Sequence, residues 1–276
     1  MAKGYASRAL GALVLVVAVA LPMGGAYAQR CGNTSAGFES WLQKFEATAI
    51  REGISRRTIQ SAFAHVNYEH KVIRLDRGQR SFKLSFEKFY ARRVSNSMIR
   101  RAKRVIRERQ SMFNRIERRY GVPPSILTAI WGLETNFGGD TGGRFYIIGS
   151  LATLAYDCRR SDFFRKELIN ALAIIDKGDI PASRMRGGWA GEIGPMQFLP
   201  SSYNKYAVDF DGDRHRDLFR SVPDMMASTA NYFKQKGWRA GQPWGEGTHN
   251  YNVIREWNKA EVYVKTIAIM AQKIEH

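Results

Sequence analysis

Three stretches of this chain combine residue types and spacings that can do chemistry. The first is Glu134, inside the run Ser125 to Phe137. At 100° per residue, Ile126, Leu127, Ile130, Leu133 and Phe137 share one side of a helix, and Glu134 falls between Ile130 and Leu127 on that apolar side. A carboxylate there loses water, which favours its neutral form and raises its pKa. A glutamic acid that keeps its proton near neutral pH can donate it to a glycosidic oxygen. Taken alone, the placement reads first as a structural carboxylate paired with one of the chain's many arginines. The second stretch is Gly187 to Tyr203, rich in glycine, with Trp189, Glu192, Gln197 and Tyr203. Glycines let a backbone approach a ligand, the aromatic rings stack on sugar faces, and the Gln197 amide both donates and accepts hydrogen bonds. The third is Asp209, Asp211 and Asp213, spaced like the start of a calcium loop, with His215 to offer its carbonyl and Asp217 or Asp224 a later carboxylate. Against calcium, Arg214 stands at the sixth position, where such a loop needs glycine, and Arg216 adds positive charge. The alternative is an acidic turn paired with arginine.

The elements that must carry these groups are helical. Phe38, Trp41, Leu42, Phe45 and Ala49 repeat at three- and four-residue steps up to Gly53. Ser55 then caps a short helix through Phe63. One long helix is expected from about Ser97 to Tyr120, ended by Gly121, and Pro123-Pro124-Ser125 opens the next. Further helices are expected over Asp162 to Asp176, Pro223 to Lys236 and Ile254 to Ile274. Loops occupy Gly138 to Gly143, Arg186 to Pro195 and Gly237 to Asn250. No stretch alternates well enough for a sheet, and there is no repeat and no linker to a second module. The chain reads as mainly α, one domain over residues 29–276.

Residues 1–28 read as a secretory signal peptide: Lys3 and Arg8, an apolar run Ala9 to Leu21, and Ala26-Tyr27-Ala28 before the cut. The run is shorter than the roughly 20 residues of a spanning helix, so no membrane span is expected after cleavage. Removing 28 residues, Lys3 and Arg8 among them, leaves 248 residues and turns a net charge of +18 into +16. Such a charge usually suggests nucleic acid. Export argues against that partner and for an anionic surface outside the cytoplasm. Between Arg92 and Arg119 the basic residues are dense; a solvated basic helix face is the plain reading, a docking face for polyanionic glycan the sharper one. Cys31 and Cys158, alone in an oxidising compartment, are expected to pair.

A Glu-bearing helix followed by a Gly/aromatic/Gln loop resembles the goose-type lysozyme and lytic transglycosylase superfamily. Tyr120-Gly121-Val122-Pro123-Pro124, Trp131 to Gly138, Ser150 to Tyr156, Arg159-Arg160, Tyr206 to Asp213, and Trp257-Asn258 before Val262-Tyr263 narrow the resemblance to the lytic murein transglycosylase B family, glycoside hydrolase family 103. It runs from about Phe38 to the C-terminus. It implies a lysozyme-like α-helical domain with a long substrate groove, acting on peptidoglycan glycan strands as a periplasmic monomer without a required cofactor. One glutamate, here Glu134, protonates the bond between N-acetylmuramic acid and N-acetylglucosamine. The substrate's N-acetyl group stabilises the oxocarbenium-like centre, and the same carboxylate then deprotonates the muramoyl 6-hydroxyl, leaving a 1,6-anhydromuramoyl end. Arg159, Arg160, Gln197, Asn258 and Tyr263 match groove residues, and Tyr90 sits at about the spacing of a groove tyrosine. Trp257 stands where a tyrosine is more usual and keeps a stacking surface. Some members hold calcium at the place of Asp209, Asp211, Asp213, His215 and Asp224, in a structural role.

One departure keeps alternatives open. Glu192 stands where family members carry a small or apolar residue. A solvated loop carboxylate is the plain reading. The sharper one is an inverting muramidase, with Glu134 as acid and Glu192 as base for water. A third reading is a silent cell-wall-binding protein that keeps the groove.

Overall fold

The computed structural model describes residues 30–78, 84–139 and 145–276. The expected signal segment lies outside them, as does most of the loop expected at Gly138 to Gly143. The chain runs through α1 (Phe38–Arg51), α2 (Arg56–Phe63), α3 (His70–Arg77), α4 (Phe86–Arg93), α5 (Asn96–Glu108), α6 (Gln110–Tyr120) and α7 (Pro124–Thr135). Then follow β1 (Phe145–Tyr146), α8 (Ile147–Tyr156), α9 (Ser161–Asp176), β2 (Arg186–Gly187), α10 (Pro200–Tyr206), α11 (Val222–Gln235), α12 (His249–Trp257) and α13 (Glu261–Glu275). The fold is mainly α, as the periodicity implies. Ser55, Ser85, Ser95, Ser221 and Thr248 each accept a backbone N–H three residues on, opening α2, α4, α5, α11 and α12. β1 and β2 form a two-residue antiparallel ribbon, too short for a period-two pattern to register in the sequence.

Two helices are buried nearly all round, and each organises one side of the molecule. All ten residues of α8 are buried, packed against α9 and flanked by α1, α2 and α3. α7 buries ten of its twelve residues against α13, α5, α6 and α11. A helix apolar on every face cannot lie on a surface, so these two set the core. The loop from β2 to α10 runs between the two sides. Cys31 and Cys158 are bonded (Cα–Cα 5.0 Å), tying the segment before α1 to the turn after α8. No helix among the described residues is long and apolar enough to cross a membrane.

Two expected helices are each two. The run from Ser97 to Tyr120 breaks at Arg109, whose φ of −120° leaves the helical range. Its halves serve different partners: α5 lies on α7 and α13, α6 mainly on α11. The run from Ile254 to Ile274 breaks at Asn258, which is extended, before α13 starts at Glu261. That second break is what presents Trp257 and Tyr263 to the end of α7.

Candidate active site

α7 delivers Glu134 one residue before its end. The chain then leaves through three consecutive left-handed residues, Asn136 (φ 48°), Phe137 (φ 57°) and Gly138 (φ 78°). Two of these carry side chains, so this exit is strained backbone held by its surroundings. Several contacts hold it. Thr135 Oγ1 donates to the Pro195 carbonyl (2.8 Å) and accepts from the Gly138 N–H (3.1 Å). Arg93 donates to the Leu133 carbonyl, and the Arg101 guanidinium lies 5.0 Å from the Phe137 ring centre.

One oxygen of Glu134, Oε1, accepts from Tyr263 Oη at 2.6 Å and from Trp257 Nε1 at 3.2 Å. Both donors come from the α12–α13 break. Asn258 shapes it: its Oδ1 accepts from the Ala260 N–H (2.9 Å). Trp257 is fixed in turn by Phe233, stacked at 5.8 Å, and by Phe198 and Tyr232, edge-on at 5.4 and 5.2 Å. Burial pushes the Glu134 carboxyl up from its ordinary value; the bonds from Tyr263 and Trp257 and the charge of Arg93 offset part of that. Tyr263 is itself pushed well up by burial and by Glu134, so it stays a neutral donor. Trp257 is more than a stacking surface: its indole N–H takes a place on the acid that a hydroxyl could fill. Its type gave no hint of this, because tryptophan reads first as core.

Glu192 is not a solvated loop carboxylate. Burial pushes it up, and the charge of Glu134 adds to this while Arg160 opposes it, so Glu192 faces the same site. Its Oε2 accepts from the Ala190 N–H (2.9 Å). Gly188 is glycine for this reason: a Cβ there would sit 2.1 Å from that oxygen. Gly194, at φ 66°, likewise would put a Cβ 2.1 Å from the Leu218 carbonyl. These glycines therefore admit protein atoms and not a ligand, which corrects the purpose the sequence suggested for them. Gln197, also left-handed (φ 56°), folds its amide back to donate to the Gly194 carbonyl at 2.9 Å.

Arg159 and Arg160 converge on Asp76, a carboxylate only 2% exposed at the end of α3. Arg159 Nη1 donates to its carbonyl (2.9 Å) and to Oδ2 (2.5 Å), and Arg160 donates to Oδ1. The side chains keep 43% and 37% of their surface. A buried acid thus orients two arginines whose outer edges stay open to an anion. Asp76 was not legible in sequence, where it is one acid in a basic run. Tyr90 goes elsewhere. It lies against Phe86 (5.5 Å) and under Lys273 (4.9 Å), and its hydroxyl makes no hydrogen bond to Glu134. Its neighbour Phe89 meets Tyr263 instead, at 6.2 Å.

The aspartate loop lies apart from this cleft. One carboxylate oxygen each from Asp209, Asp211, Asp213 and Asp224 lie within 4.8 Å of one another. Backbone N–H groups hold them there: Gly212 and Arg214 on Asp209, Phe210 and Asp211 on Asp224. Arg214 adopts φ 72°, the turn that glycine would make, so the sixth position is shaped despite its side chain. Arg216 does not neutralise the loop; it pairs with Asp179. Asp217 is spent on its own turn, accepting from Phe219 and Arg220 N–H, and His215 donates its N–H to Asp213 Oδ1 (2.8 Å). The donor set fits a hard cation, oxygen ligands with no paired arginine.

Residues 37–249 match the family profile of the transglycosylase SLT domain. Over 134 residues the chain is 43% identical to membrane-bound lytic murein transglycosylase B of Escherichia coli K12; the match spans 48% of this chain and 36% of that protein, about a third of its length. The fold superposes on SltB3 of Pseudomonas aeruginosa, solved with NAG-NAM-pentapeptide and with NAG-anhNAM-pentapeptide, at TM-scores of 0.81 and 0.82 with 32% identity, over 86% of this chain and 79% of that one. It also superposes on Slt35 of E. coli, solved with calcium, at TM-score 0.75 over 90% and 96% of the two chains, with 24% identity.

Proposed function

The chain belongs to the transglycosylase SLT domain family, and we propose that it is a lytic transglycosylase of peptidoglycan, cutting glycan strands between N-acetylmuramic acid and N-acetylglucosamine without consuming water. The observation that carries the reading is the enclosed carboxyl of Glu134, raised by burial and fixed through one oxygen by Tyr263 and Trp257. Protonated, it donates to the glycosidic oxygen as the bond breaks. The substrate's N-acetyl group stabilises the developing positive centre. The carboxylate, now ionised and held by its two donors, takes the proton of the muramoyl 6-hydroxyl, whose oxygen closes on the anomeric carbon to give the 1,6-anhydro end. Arg159, Arg160 and Gln197 line the path of the strand, the arginines meeting muramoyl carboxylates.

Glu192 makes hydrolysis the second reading, because its carboxyl shares the site. A base for water must be ionised, however, and burial beside Glu134 favours its neutral form. A carboxyl that burial and the charge of Glu134 both raise does not ionise readily, which disfavours an acid and a separate base here. The test is a sacculus digest in ¹⁸O-water with wild type, Glu134→Gln and Glu192→Gln. Anhydro-ended fragments without label are expected from wild type and none from Glu134→Gln. Labelled reducing ends would move the reading to a muramidase, and sacculus binding with no release would move it to a wall-binding protein.

The aspartate loop is proposed to take Ca2+ through Asp209, Asp211, Asp213 and Asp224, with the His215 carbonyl, as a structural ion that joins the loop to α11. The enzyme is proposed to work as a monomer in the periplasm after loss of residues 1–28.

A further inference from the structure

On the side of α7 facing α5, a cavity of about 700 Å3 opens beside Glu134. Its wall is built by the C-terminal end of α4 and one face of α5. At 100° per residue, Arg100, Arg104, Ser97 and Arg101 fall within a 100° arc of α5, and all four line the cavity together with Arg92 and Arg93. The opposite face of α5 buries Ala102 and half-buries Val105 and Ile106, so the arginine face is fixed by packing. Among the described residues, Glu134 is the only acid in the lining.

These arginines differ from four others that lie at well-packed places in the fold. Arg77, Arg159 and Arg160 each bond a buried carboxylate, and Arg216 bonds the mostly covered Asp179. In the wall, Arg93 and Arg101 are tied to the end of α7, by the Leu133 carbonyl and the Phe137 ring. Arg104 has only a 3.8 Å pair with Glu108, both side chains 60% exposed, which contributes little. Arg92 and Arg100 are exposed and make no ion pair among the described residues. Five guanidinium groups around one cavity repel one another. A ligand carrying carboxylates removes the repulsion and fits the guanidinium fork, which takes a carboxylate through two parallel bonds.

Resting on the proposed reaction, the position of the wall identifies the carboxylates. A stem peptide hangs from the lactyl group of the muramoyl sugar whose bond Glu134 breaks. We propose that Arg92, Arg93, Arg100, Arg101 and Arg104 form a carboxylate-binding subsite that selects glycan strands whose muramoyl residues carry stem peptides with free carboxylates.

The experiment compares kcat/KM on three strand preparations at fixed ionic strength: stems intact, stem carboxylates amidated, and stems removed. The enzymes are wild type, Arg100→Gln/Arg104→Gln, and a control that loses the same charge outside the cavity, Arg107→Gln/Arg118→Gln. Wild type is expected to favour intact over amidated or stripped strands. The wall variant is expected to lose roughly tenfold of that preference, chiefly through KM, and the control to keep it. Equal cleavage of the three preparations by wild type overturns the subsite. So does an unchanged preference in a wall variant whose melting matches wild type, or an equal loss in the control, which would make the effect one of net charge. Failure of wild type to cut any preparation overturns instead the reaction on which the subsite rests.

Discussion

Carboxylates gather twice in this molecule, in opposite ways. At the end of α7, Glu134 and Glu192 are enclosed by protein, and burial is the first cause that raises each. Glu134 is met by an indole and a phenol, neutral donors that fix its position without cancelling the cost of its charge. In the loop after α10, Asp209, Asp211 and Asp213 stand at or near the surface beside buried Asp224, and backbone N–H groups crowd onto their oxygens. The first arrangement favours a held proton; in the second, burial raises Asp224 while the backbone N–H groups of Phe210, Asp217 and Asp211 oppose that rise. Composition cannot separate them, since both are acids among arginines. What separates them is the exposure of three of the four aspartates and the number of backbone N–H groups that meet them.

The largest effect is expected from Glu134→Gln, which keeps the shape and removes the proton: anhydro-fragment release from sacculi falls by about a thousandfold or more. A fall of only a few-fold would transfer the acid role elsewhere. In the aspartate loop the same chemical change acts on stability instead. Calcium at a hundredfold excess over its dissociation constant stabilises by about 2.7 kcal/mol, and Asp211→Asn is expected to remove most of that gain in thermal melting while leaving the melt in chelator close to wild type. A wild-type melt that ignores calcium would reassign the loop to a self-capped turn.

Stability sharpens the contrast further. Because the folded pKa of Glu134 is raised, its stabilising neutral state is complete below the ordinary carboxylate pKa of about 4.3 and is lost as pH rises toward the folded value. Gln has no such loss. Glu134→Gln is therefore expected to melt increasingly above wild type as pH rises, by ~1.4 kcal/mol for each pKa unit of the shift. A difference that shrinks with rising pH would mean the carboxylate is welcome in its site. The smallest effects belong to the donors. Tyr263→Phe and Trp257→Phe each remove a bond that favours the ionised form, so the alkaline limb of the activity profile moves up, further for Tyr263→Phe. Movement to lower pH would show that these residues donate nothing to Glu134.

Much of this could be read along the chain. Helical periodicity fixed the class, the apolar face of residues 125–137 marked Glu134, and ordered motifs named the family. The spacing of Asp209, Asp211 and Asp213 marked the loop that collects them. These signals are local: they depend on residues within a few turns of one another, and side-chain period or loop spacing carries them. The remainder came from packing between distant segments. Trp257 and Tyr263 reach Glu134 from more than 120 residues away, because the chain breaks at Asn258. Asp76 gathers Arg159 and Arg160 across more than 80. Glu192 changed from a solvated acid to an enclosed one because its loop folds against α7 through Thr135 and Pro195. Whether a carboxyl holds its proton is set by what surrounds it in space, and neighbours in space are the one thing that position along the chain does not give.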